Sequence, residues 1–99
     1  MIKVKFDESK KVFEMTGHAN YANAGTDIVC AAASAITISS FNGIAKFLEK
    51  EEYDVIENDG YLKVTLHNDS REVELLLENL LESLQELQIQ FPKNIKIIK

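Results

Sequence analysis

The chain reads as an α+β fold, a two-layer sandwich in which two helices cover one face of a mainly antiparallel sheet of about five strands. Three observations predict it. Strand-like apolar patterns open each half of the chain, apolar stripes at threes and fours follow each pair of them, and a short isoleucine-rich run closes the chain. The predicted order is ββαββαβ. With 99 residues, 45% of them apolar, residues 1–99 suit a single domain with one modest core.

Ile2, Val4 and Phe6 alternate with Lys3 and Lys5, the signature of a half-buried strand. Asp7 to Lys10 reads as a turn, and Val12, Phe13 and Met15 carry a second strand, so residues 2–16 predict a hairpin. A small, polar stretch from Gly17 to Thr26 precedes a long helix. Thr26 or Asp27, both good N-cap types, marks its expected start. Its predicted stripe is Ile28, Val29, Ala32, Ala33, Ile36, Phe41, Ile44, Ala45 and Leu48. Gly43 costs a helix interior about 1 kcal/mol relative to alanine, which suits either a close packing contact or a kink. Tyr53–Glu57 and Tyr61–His67 are strand-like runs joined by Asn58-Asp59-Gly60, a strong hairpin signal. Asp69 or Ser70 can cap a second helix with the stripe Val73, Leu76, Leu77, Leu80, Leu84 and Leu87. Leu75 and Leu81 lie beside that stripe and are candidates for contact with a partner subunit. Ile95, Ile97 and Ile98 follow Pro92 as the last strand.

Composition excludes several functions. Eleven basic residues against sixteen acidic ones leave a formal charge of −5, which disfavours a nucleic-acid backbone and suits a basic or neutral peptide. Neither a signal peptide nor a membrane span is read, and one cysteine predicts a reducing, cytoplasmic setting without an internal disulfide. One cysteine and two histidines fall short of a zinc ligand set unless carboxylates join them, so no metal or cofactor is expected. Gly-rich phosphate loops, CxxC pairs and aromatic-studded basic stripes are all missing from the sequence.

Chemistry concentrates in residues 17–35. Cys30 is expected in the first turn of the first helix, where unpaired N–H groups and the helix dipole favour a thiolate and can hold an oxyanion. His18 precedes it by twelve positions, and a loop folding back would bring the imidazole to the thiol. The bland alternative is a cysteine buried as a small hydrophobe. Against that, Cys30 stands off the Ile28–Ala32–Ile36 line, with Ser34 one turn on, after a loop rich in Gly, Ala and Asn. Asp27 is either a helix cap or an orienting partner for His18. Ser34 is either a donor to sulfur or substrate, or bonded to its own helix. Gly17 and Gly25 suit positive φ or close approach, and Tyr21 is either a lid residue or a surface aromatic. His67 reads as a solvated strand-end histidine.

The segment GHANYANAGTDIVCAAASA resembles the signature of the ribosomal-processing cysteine proteases, the Prp family. The match spans residues 17–35 with its spacing intact, and element order and the Pro92–Ile98 segment agree more loosely. The resemblance implies Cys30 as nucleophile and His18 as general base, with Gly17, Ala19, Gly25, Asp27 and Ser34 matching in supporting or substrate-loop positions. It implies an endopeptidase that removes the short N-terminal extension of a large-subunit ribosomal protein of the exit-tunnel and peptidyl-transferase region, cutting after an aromatic pair. It further implies a homodimer and a mobile loop between His18 and Cys30. Two rival readings are a non-catalytic ribosome-associated binding module with an inert Cys30, and a thiol redox sensor, which lacks a resolving cysteine.

Overall fold

The computed structural model describes residues 1–17, 24–58 and 60–98, with the side chains of 24–27 left aside. Strands β1 (Ile2–Asp7) and β2 (Val12–Thr16) form the expected hairpin. Its turn is built by Asp7, whose Oδ1 accepts from Ser9 N and Lys10 N at 3.1 Å each and from the Ser9 hydroxyl at 2.9 Å. These donors hold the Asp7 carboxyl below its ordinary range. Helix α1 (Ala24–Ala45) follows, then a 3₁₀ turn (Lys50–Glu52), β3 (Tyr53–Asn58), β4 (Tyr61–Leu66), α2 (Arg71–Gln90) and β5 (Ile95–Ile98). The order is ββαββαβ, as read from the sequence.

The sheet runs β3-β4-β2-β1-β5. Three pairings are antiparallel, while β5 lies parallel to β1, with Ile2 opposite Ile95 and Val4 opposite Ile97. The sheet is therefore mixed. Two crossovers interlock in it: β2-α1-β3 passes over β4, and β4-α2-β5 passes over β2 and β1. Each joins parallel strands and so needs a helix on a sheet face. Both helices lie on the same face, where every second strand residue is apolar. Ile2, Val4, Phe13, Met15, Leu62, Val64, Leu66 and Ile95 meet Val29, Ala33 and Ile44 of α1 and Val73, Leu77, Leu80, Leu84 and Leu87 of α2. The opposite face carries Lys5, Glu14 and Lys63 in one row across three strands, with Tyr61 Oη donating to Glu14 Oε2 at 2.8 Å.

Three sequence expectations change here. α1 starts at Ala24, so Thr26 and Asp27 lie inside the helix and neither caps it. Ala24 is a residue of the best helix-forming type, and the helix gains most of a turn upstream. Ile28 leaves the core stripe and is 63% exposed, because Val29, about 100° around the helix, takes the buried position. Gly43 neither makes a close packing contact nor breaks α1: a methyl group there would meet open space. Ser70, one of the two expected caps, starts α2, its Oγ accepting from Val73 N at 3.4 Å. Asn68 supports it, accepting from Ser70 N at 2.7 Å and donating to Glu52 Oε2 at 2.7 Å. The expected 58–60 turn is bracketed by β3 and β4, with Gly60 at φ 74°; Asp59 lies outside the described residues.

Over Ile28–Ala45, α1 is long and apolar enough to cross a membrane, with mean hydropathy 1.6, though only 22% of that window is buried. One side of it is taken up by the sheet through Val29, Ala33, Thr37 and Ile44. Thr37, fully buried, donates to Met15 Sδ at 3.7 Å and pins α1 to β2.

Two stability measurements test this account. Gly43→Ala, in the last turn of α1, is expected to stabilise the fold by about 0.5–1 kcal/mol in urea unfolding, since the new methyl clashes with nothing. Asp7→Ala is expected to destabilise the fold at neutral pH. Because the folded pKa of Asp7 is lowered, its contribution is present above the unfolded value and fades as pH falls through the folded one. The gap between wild type and Asp7→Ala should thus close below about pH 4.

Candidate active site

Gly17, the first residue of the motif, leaves β2 at φ 83°, in the left-handed region that glycine adopts without strain. Its N–H donates to Gly60 O at 2.8 Å, which ties the exit of the first hairpin to the tip of the second. The expected positive φ is found at this glycine. His18, Ala19 and Tyr21 lie outside the described residues. Gly25 is the second residue of α1 and belongs to the helix, contrary to its expected place in the preceding loop. Asp27 is in the helix as well.

Cys30 is the seventh residue of α1, one turn deeper than expected. The free backbone donors of a helix are its first four N–H groups, here those of residues 24–27. The field of the helix dipole also fades beyond the first turn. Helix-end stabilisation of a thiolate at Cys30 is correspondingly reduced, and any oxyanion donors the helix supplies lie upstream of the sulfur.

Cys30 is a free thiol, half-buried, with its body packed against the core. Ser34, one turn on, is half-buried too. Both stand on a flank of α1 between the buried line of Val29, Ala33 and Thr37 and the solvent side, a flank that continues through Phe41. Phe41 is anchored there by an edge-to-face contact with Phe13, ring centroids 5.1 Å apart. A thiol so placed is held by the core yet reachable from one side.

The sequence reading missed a groove of about 240 Å³ further along this helix. Ile38, Phe41 and Leu48 of α1 and its C-terminal extension form one wall, and Tyr53 and Val55 of β3 with Leu62 of β4 form the other. The available signal was Tyr53 and Val55 sharing one face of β3, the outermost strand among the described residues. Glu57 lines the same groove. His67 is exposed at the end of β4, as expected, with its Nε2 2.9 Å from Asp54 Oδ2. Among the described residues, no three His, Cys, Asp or Glu side chains gather as metal ligands do.

Comparison with known proteins places this geometry. The family model described as Cysteine protease Prp matches residues 1–96. The ribosomal processing cysteine protease Prp of Bacillus subtilis (strain 168) is 30% identical, over 97% of this chain and 91% of its own. A crystal structure of the essential ribosomal processing protease Prp from S. aureus with a substrate peptide superposes with a TM-score of 0.81 at 28% identity, covering 98% of this chain and 95% of that one. The same S. aureus protease with a covalently linked product peptide gives 0.78 at 34% identity, covering 98% and 97%. With its one thiol carried on the first helix of that shared fold, the chain belongs to the cysteine protease Prp family and is a cysteine protease.

Proposed function

We propose that this protease removes the short N-terminal extension of a large-subunit ribosomal protein, the one at the exit tunnel and peptidyl-transferase region, with Cys30 as nucleophile and His18 as general base. The observation that carries the reading is arithmetic: a cysteine protease acts through a thiol, and this chain holds a single cysteine, free and half-exposed. Ribosomal processing is what the relatives from Bacillus subtilis and Staphylococcus aureus are named for. The charge of −5, with Glu57 of β3 lining the apolar groove, supports a substrate segment that joins basic and apolar side chains. The enzyme works as a homodimer in the cytoplasm.

In this mechanism His18 takes the thiol proton and Cys30 Sγ attacks the scissile carbonyl carbon. Backbone N–H groups at the start of α1 hold the resulting oxyanion. The tetrahedral intermediate collapses to a thioester as the C–N bond breaks, and the proton on His18 goes to the departing amine. Water, deprotonated by the same imidazole, then attacks the thioester, releasing the acid and the free thiol. Since the dipole field is reduced at the seventh helical residue, the base carries most of the activation. Gly17, Ala19, Gly25, Asp27 and Ser34 shape the substrate loop and support this pair.

The half-burial of Cys30 against the core is the one observation that favours a non-catalytic binding module. Two measurements separate the readings. Mass spectrometry of a peptide spanning the extension should show cleavage at one bond by wild type, with Cys30→Ala and His18→Ala each slower by more than about 10³-fold. Cleavage by Cys30→Ala at the wild-type rate would sink the mechanism. Iodoacetamide at about pH 7 should alkylate Cys30 faster than it does glutathione, with His18→Ala slowing the reaction. An inert thiol in both proteins would return Cys30 to a packing role.

A further inference from the structure

Cys30 and the apolar groove share one flank of α1. At about 100° per residue, Ser34, Ile38, Phe41 and Ala45 all stand within roughly 80° of Cys30 around the helix axis. At about 1.5 Å per residue, the groove wall from Ile38 to Ala45 begins about 12 Å beyond the thiol and ends about 22 Å beyond it. An extended chain covers that stretch between roughly its fourth and seventh residue.

The opposite wall is a strand edge. His67 N donates to Glu52 O at 2.7 Å, and hydrogen-bonded pairs alternate along an antiparallel ladder, so Asp54, Ile56 and Asn58 continue the bonding to β4. Tyr53, Val55 and Glu57 therefore turn their N–H and C=O groups to the outer side, where no strand pairs among the described residues. The side chains of the same three residues line the groove. Val55 is 53% exposed and Ile38, on the helix wall, 54%. Glu57 makes no ion pair among the described residues.

We propose that the extension itself, the acyl side of the substrate, lies beside β3 as an added strand, with residues roughly four to seven positions before the scissile bond in this groove. The inference rests on the processing reading given above. Strand addition takes affinity from main-chain hydrogen bonds and specificity from alternate side chains. Here Tyr53, Val55 and Glu57 supply both, so the recognised side chains are apolar, and the one that meets Glu57 is basic. The amine side of the bond leads into the body of the ribosomal protein, whereas the extension has a free end and can lie flat along an edge. Contact on the acyl side also persists through the first step, because the extension stays on Cys30 as the thioester until water attacks.

Two peptides with the same scissile bond test the groove, one carrying the whole extension and the other only the last three residues before the bond. Wild type should cleave the short peptide with kcat/KM at least about 50-fold lower. Val55→Glu, which sets a second carboxylate in the groove, should lower kcat/KM for the long peptide at least about 10-fold and leave the short one unchanged. Val55→Pro, which removes an outward N–H and no bond to β4, should do the same. Ile38→Glu reads the helix wall should the strand variants lose the wild-type circular dichroism. Ile56→Glu, on the other face of β3, should leave both peptides unchanged. Equal kcat/KM for the two peptides in wild type, or groove variants that slow both alike, overturns the subsite and leaves processing standing. So does a groove variant that alters sedimentation velocity while the length dependence stays intact, which would give the groove to a subunit contact. Cleavage of neither peptide by wild type overturns the processing reading together with the subsite.

Discussion

Everything in this molecule depends on two interlocked crossovers sharing one sheet face. β2 and β3 run parallel with β4 between them, β4 and β5 run parallel with β2 and β1 between them, and both connections are helices. Because each crossover spans strands that belong to the other, α1 and α2 are forced side by side over a common apolar surface. Burial of Phe13 and Met15 at the centre of that surface serves both helices at once. The exit of β2 is thereby held where Gly17 meets Gly60. A cysteine early in α1 is then fixed relative to that exit by the core beneath it.

Much of this was legible because local patterns and tertiary burial agree. Ile2, Val4, Phe13 and Met15 alternate in the sequence and are all buried, and Val73, Leu77, Leu80, Leu84 and Leu87 recur at helical spacing and are all buried. In α2, the polar side is full of glutamates, so only one face can turn inward. α1 offered no such contrast. With apolar residues on every side, its pattern could not say whether Ile28 or Val29 faces the sheet, and packing chose Val29. The parallel setting of β5 was also out of reach, since Ile95–Ile98 reads alike for either direction.

The candidate site divides along the same line. Cys30 was found from its position in a motif, and packing agrees with a flank location beside Ser34. What propensity misjudged was the helix start. Thr26 and Asp27 have the side chains of caps, yet a residue caps a helix only where the helix begins, and Ala24 carries it further upstream. That difference of a few residues moves the sulfur out of the first turn and changes which force is asked to activate it.

The two edges of the sheet are treated differently. On β5, Gln88 Oε1 accepts from Ile97 N at 2.6 Å, so the helix layer occupies a main-chain donor that another strand would otherwise use. Among the described residues no strand pairs with the outer side of β3, and solubility is left to Asp54 and Glu57. A ladder closed by a side chain at one end and guarded by carboxylates at the other does not propagate into fibrils readily. An incoming strand would meet that guard at β3, where accretion from a chain that is still folded would have to begin.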